Sequence, residues 1–213
     1  MRVKFCGMTR LEDAREAARL GAWAIGLIHH ADSPRDIDPA VAAAIGSELR
    51  RSVEVVGVFV NSSLDDVAKA VEDESLTMVQ LHGDEGPAFS AEVARRTGAK
   101  VMKAFQVRTA AEVQGAEAYR VDFHLFDAHH DRARGGTGES FDWGLLRDRR
   151  STVPMVLSGG LRPDNVADAI AVAQPFAVDV ASGVEAEPGV KDHAAMAAFF
   201  EAAQPAGAAE VPS

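Results

Sequence analysis

Residues Val3–Ile28 read VKFCGMTRLEDAREAARLGAWAIGLI, and this stretch decides the architecture. Val3–Cys6 alternates as a strand does. Val3 and Phe5 fall on one face, Lys4 and Cys6 on the other. Leu11–Leu20 follows as a helix, with Thr9 as a candidate N-cap and Gly21 as a candidate stop. Trp23–Ile28 is a second strand. A strand, a helix and a strand joined this closely point to a parallel sheet with helices packed on it.

The same unit recurs to the end of the chain. Strands are expected at 53–60, 78–81, 100–105, 121–126, 154–157 and 176–180. Helices are expected at 39–49 (Asp38 at the N-cap, Pro39 at N1), 63–72, from Pro87, 141–146, 163–172 and 191–203. The helix after strand five, near Thr109–Gln114, is short and weak. Eight such units in 213 residues favour a closed (β/α)8 TIM barrel over an open doubly wound sheet. Residues 1–203 form one catalytic domain in this reading, and 204–213, rich in Pro, Ala and Gly, form a disordered tail.

Composition is that of a globular protein, 47% apolar and 25% charged. A net charge of −10 with no Lys/Arg block argues against nucleic acid and against anionic membrane surfaces. It leaves room for an anionic small molecule held by backbone N–H groups and one local Arg. Cys6 is the single cysteine, so there is no intramolecular disulfide and no multi-cysteine metal site. No apolar h-region opens the chain and no run approaches a membrane span, so a cytoplasmic location is expected.

A barrel of this kind carries its site at the carboxyl ends of the strands. The polar residues there are Cys6, His29, His30, Asn61, His82, Gln106, Asp127, Ser158 and Ser182. Cys6 should face the barrel mouth, although a buried structural thiol is an equally simple reading. Asp127 ends an apolar strand, where partial desolvation can keep a carboxyl protonated; a loop carboxylate or helix cap is the alternative. A thiol base and a carboxylic acid across one mouth suit proton transfer on a bound sugar. Ser158-Gly159-Gly160 and Ser182-Gly183 follow the last two strands, where barrels often hold phosphate. Gly135–Gly138 reads as a lid, and His124, His129 and His130 do not form a metal-binding pattern. Asp179 lies in an apolar strand and needs a partner if buried; Lys4, on the neighbouring strand of a closed barrel, is the candidate.

Taken together, these motifs resemble the phosphoribosylanthranilate isomerase family. The carrying segments are Lys4–Thr9, Ser33–Arg35, Gly57–Asn61, Val79–Gly83, Leu125–Asp127, Gly135–Gly138 with Phe141–Trp143, Leu157–Leu161 with Pro163 and Asn165, and Val178–Glu185 with Pro188, Gly189, Lys191 and Asp192. The resemblance implies an Amadori rearrangement of N-(5-phosphoribosyl)anthranilate in tryptophan biosynthesis. In it Cys6 is the general base, Asp127 the general acid, and Arg35 the partner of the anthranilate carboxylate. Gly159, Gly160, Ser182 and Gly183 hold the phosphate, and His82 and Asp179 are further site candidates. No cofactor and no metal are implied. A monomer or homodimer acting on a small molecule is expected. The chain departs from the family at Leu27–Asp32, where the pattern is usually more aromatic. Two rivals are the analogous isomerase of histidine biosynthesis, which has an aspartate where Cys6 stands and a second phosphate site, and a non-catalytic sugar-phosphate-binding barrel.

Overall fold

The computed structural model describes residues 1–107, 109–127, 143–146 and 149–204. Eight parallel strands close into a barrel in sequence order: β1 (Arg2–Cys6), β2 (Ala24–His29), β3 (Glu54–Phe59), β4 (Met78–Leu81), β5 (Lys100–Gln106), β6 (Phe123–Asp127), β7 (Met155–Ser158) and β8 (Ala177–Val180). Closure is the pairing of β1 with β8, in register Arg2↔Ala177 through Phe5↔Val180. Around the barrel lie α1 (Leu11–Leu20), α2 (Pro39–Leu49), α3 (Leu64–Asp73), α4 (Pro87–Thr97), α5 (Ala110–Gly115), α6 (Val166–Ala173) and α7 (His193–Ala203). None of these helices is long and apolar enough to cross a membrane.

The two faces of each strand part into two cores, as the period of two requires. Val3, Phe5, Ile25, Leu27, Val55, Val79 and Leu81 are buried against the helices. Ala24, Val56, Met78, Met102, Leu125, Val156 and Ala177 fill the barrel itself. Trp23, Phe123 and Phe176 pack against this inner core, with edge-to-face ring centroids at 5.1 and 5.5 Å. With the interior filled in this way, the open end at the strand C-termini is left for chemistry.

Local rules account for most helix ends, and the exceptions have visible causes. Asp38 caps α2 by accepting from Ala40 N and Val41 N, with Pro39 at the first helical position. The weak fifth helix is six residues long, held by a Thr109–Glu112 capping box. Thr9 does not cap α1. Its Oγ1 donates to Gly189 O at 2.5 Å, and Arg10 takes the cap position with no side-chain capping bond. The helix expected from Pro163 begins at Val166, because Asn165 bonds Arg162 N and Gly160 O and holds a turn instead. The last helix begins at His193, capped by Asp192, and Lys191 belongs to a short hairpin, β9 (Glu185–Glu187) with β10 (Val190–Lys191).

In place of a helix after β6, the described residues show a 3-10 turn at Trp143–Leu146. The Gly135–Gly138 segment, His129, His130, Phe141 and Asp142 lie outside the described residues. Gln204, read as the first residue of a loose tail, is tied down. Its Oε1 accepts from the Met1 amino group at 2.7 Å and its Nε2 donates to Met1 O at 3.2 Å. Residues 205–213 lie outside the description.

Candidate active site

Cys6 ends β1 and is 5% exposed. It faces inward over Gly26, where a Cβ would stand 2.6 Å from Cys6 Sγ and 3.1 Å from Lys4 Nζ. Glycine on β2 is therefore what gives the thiol and the ammonium room beside each other. Lys4 is fully buried and donates to Asp179 Oδ1 at 2.7 Å. Ser158 Oγ donates to the other oxygen, Asp179 Oδ2, at 2.9 Å. The pair expected from topology is formed, and each Asp179 oxygen has a donor.

Burial pushes the Cys6 thiol up, and the nearby Lys4 ammonium draws it back only in part. Burial works against the Lys4 charge too, yet Asp179 and Cys6 together hold Lys4 above the ordinary lysine range. The thiol thus sits beside a fixed cation in a poorly solvated place.

Asp127 ends β6 and is half-buried, with its side chain 19% exposed. It is in register with Gln106 on β5 and Ser158 on β7. His82 lies beside it, with Nε2 3.6 Å from Asp127 Oδ2. The other ring nitrogen, Nδ1, is 2.9 Å from Gln80 Nε2. If Gln80 donates there, the imidazole proton sits on Nε2, facing the carboxyl. The loop that carries His82 is held from below. Buried Lys103 donates to Gly83 O and Glu85 Oε2 at 2.6 and 3.0 Å, and Glu85 accepts from Asn61 N and Gly83 N.

Gly159 and Gly160 adopt left-handed backbone, φ +98° and +64°. Ser182 and Gly183 open a 3-10 turn after β8. The two loops touch: a Cβ on Gly183 would stand 2.0 Å from Leu161 O. Backbone from β7 and β8 is thereby brought to one corner of the mouth.

Arg35 is half-buried, and its Nε and Nη2 donate to Glu185 at 2.8 and 2.6 Å. Glu185 also accepts from Lys191 Nζ at 2.9 Å. Reading the strands one by one gives Gln80, Glu185 and Lys191 no part in the site, because none of them ends a predicted strand. The turn signal Pro188-Gly189 between Glu185 and Lys191 is what could have exposed the hairpin. His29 and His124 belong elsewhere. His29 stacks on Phe59 with centroids 4.8 Å apart and lies 3.1 Å from Glu74 Oε2, on the helix side of the sheet. His124 is buried beside Phe105 and Phe126, and its Nε2 lies 3.0 Å from Tyr119 O.

Compared with known proteins, residues 3–202 match the family model for N-(5'-phosphoribosyl)anthranilate (PRA) isomerase. The chain belongs to this family. A relative so named from Citrifermentans bemidjiense is 48% identical over 191 residues, 90% of this chain and 91% of the relative. One from Geobacter metallireducens is 43% identical, over 96% of this chain and 99% of its own. Among solved structures, phosphoribosyl anthranilate isomerase in complex with reduced 1-(o-carboxyphenylamino)-1-deoxyribulose 5-phosphate superposes with a TM-score of 0.84 at 41% identity, covering 95% of this chain and 98% of that one. The enzyme from Thermotoga maritima does so with a TM-score of 0.84 at 40% identity and the same coverage. Membership in this isomerase family sets aside the histidine-pathway rival.

Proposed function

We propose that the chain converts N-(5'-phosphoribosyl)anthranilate to 1-(2-carboxyphenylamino)-1-deoxyribulose 5-phosphate, with Asp127 as general acid and Cys6 as general base. The observation that carries this is an inward thiol at the end of β1 and a half-buried carboxyl at the end of β6, over a filled barrel. Asp127 protonates the ribose ring oxygen. The C1–O bond breaks as the anilino nitrogen donates its electron pair, leaving a cationic Schiff base. Cys6, as thiolate, takes the proton from C2, which the neighbouring cation has made acidic. The enolamine that results tautomerises to the ketone.

The polar corners fit the two ends of this substrate. Phosphate is assigned to the N–H groups of Gly159, Gly160, Ser182 and Gly183, where two loops meet. The carboxylate is assigned to Arg35, the guanidinium at the rim. A solved relative holds the reduced product analogue, a ligand with a phosphate at one end and a carboxylate at the other. His82 stands beside Asp127 as a partner for its carboxylate once the proton has left. Asp179 acts from below, through Lys4.

Residues 1–203 act as one catalytic unit in the cytoplasm, as a monomer or homodimer; light scattering on the purified chain separates the last two. A fluorescence assay that follows loss of the anthranilate ribotide tests the activity itself. Cys6→Ser and Asp127→Asn should each lower kcat by about 10² or more, the scale of losing a positioned proton-transfer group. Near-normal kcat in either variant would remove that residue from the mechanism.

A further inference from the structure

The hairpin after β8 carries charges that acid–base chemistry at Cys6 and Asp127 does not use. Glu185 accepts from both the Nε and the Nη2 of Arg35, and from Lys191 Nζ. The Lys191 side chain is 0% exposed, that of Glu185 5% and that of Arg35 22%. Lys191 Nζ also donates to Ala181 O at 3.1 Å. Two cations and one anion leave a net charge of one positive unit. An arginine and a glutamate alone would form a closed neutral pair, with little attraction left for a second carboxylate.

The free part of that charge has a direction. Glu185 occupies the Nε–Nη2 edge of the guanidinium. Among the described residues Nη1 has no hydrogen-bond partner, so the Nη1–Nη2 edge can take a second carboxylate in bidentate fashion. The position of Arg35 is also built into the backbone. A Cβ at Gly7 would stand 2.7 Å from Arg35 Cδ, so the stem of Arg35 lies where only glycine leaves room. The hairpin is pinned by Thr9 Oγ1 to Gly189 O and by Lys191 N to Asp13 Oδ2 at 3.2 Å.

We propose that Glu185 and Lys191 are positioning residues for substrate recognition. Glu185 fixes the plane of the Arg35 guanidinium, and Lys191 cancels the Glu185 charge, so that one positive charge remains on the outer edge for the aryl carboxylate. This rests on the assignment of Arg35 to that carboxylate. Burial opposes the charge on Glu185, but hydrogen bonds from Arg35 and Lys191 hold its carboxyl below the usual range. Burial likewise lowers Lys191, against the pull of Glu185.

The test compares two substrates, phosphoribosylanthranilate and phosphoribosylaniline, which lacks the carboxylate. The readout is the ratio of their kcat/KM values, in which the concentration of folded enzyme cancels, so that partial misfolding neither mimics nor hides the effect. Lys191→Met should lower the ratio by about tenfold, because Glu185 then neutralises Arg35. The double variant Glu185→Gln with Lys191→Met restores the net charge and should recover part of that loss. A merely structural lysine would give no recovery, since the second substitution would only add damage. An unchanged ratio in Lys191→Met, or a double variant no better than the single one, would overturn the proposal. Arg35→Met separates the two levels. If it lowers the ratio while Lys191→Met does not, the carboxylate assignment stands and the positioning role falls. If it leaves the ratio unchanged, both fall.

Discussion

Lys4 brings a charge beside a barrel core built of Ala, Val, Met and Leu, and the reason lies one step above it. An isolated ammonium there would be several kcal/mol unfavourable, so Asp179 is its necessary partner, and Ser158 completes that carboxylate. What remains of the Lys4 field falls on Cys6. Burial raises the thiol and Lys4 lowers it, so the sign of a Lys4 variant follows directly. In Lys4→Met the larger lowering influence is gone and only the weaker one of Lys191 remains, while Asp179 still disfavours a second anion. The Cys6 midpoint, already above the ordinary thiol range of about 8.5, should rise further. The pH dependence of the alkylation rate reads this at Cys6 alone, because the chain has one cysteine. The same midpoint in both proteins would show that Lys4 serves packing alone. In the unsubstituted enzyme, the rate of Cys6 alkylation should still be rising with pH where an ordinary thiol has finished titrating.

Among the elements, the loops after β7 and β8 meet through their backbones, and two glycines in them differ in kind. A Cβ on Gly183 would stand 2.0 Å from Leu161 O, a backbone atom that cannot swing away. A Cβ on Gly160 meets nothing within 4 Å, so only its φ of +64° resists substitution. Gly183→Ala should therefore force the two loops apart, cost about 1–3 kcal/mol of stability and raise KM at least tenfold. Gly160→Ala should cost about 1–2 kcal/mol and change KM less. Thermal melts with steady-state kinetics check both; equal KM values for the two variants would mean that loop contact does not shape the corner proposed for phosphate. The β9–β10 hairpin makes the complementary point. Three residues facing two form too short a pattern to register as strands, and Lys191 looks like the start of a helix until Asp192 is seen to cap α7. Its place is set by contacts with Thr9 and Asp13, far away in sequence.

At the scale of the whole molecule, buried carboxylates fasten distant parts of the chain, and they set its response to acid. Asp13 joins Arg10, His193 and the Lys191 amide; Glu85 joins Lys103 to the Asn61 loop; Glu185 joins Arg35 to Lys191. Burial alone would raise all three, but their donors hold each one below the usual carboxylate range. Groups depressed on folding contribute stability that is fully present above their unfolded pKa, near 4, and lost as pH falls through the folded value. Melting temperature should fall steeply below about pH 4 for this reason, and Asp13→Asn should flatten part of that slope at the expense of stability at neutral pH. Melts across the acid range decide it; an unaltered slope in Asp13→Asn would assign the acid response to other groups. The sequence by itself determined the closed eight-stranded barrel, the inward faces of β1 and β6 and the glycine loops, because strand alternation, caps and turn residues are local properties of the chain. Only the tertiary structure decided that Arg35 is held by Glu185, that Glu185 is answered by Lys191, that His82 stands beside Asp127 and that Gly26 makes room for Cys6 and Lys4. The first and third depend on which strand ends the barrel brings together at the mouth, the second on a hairpin too short to read, and the fourth on the register of β1 with β2; such contacts between side chains leave no periodic mark on the chain.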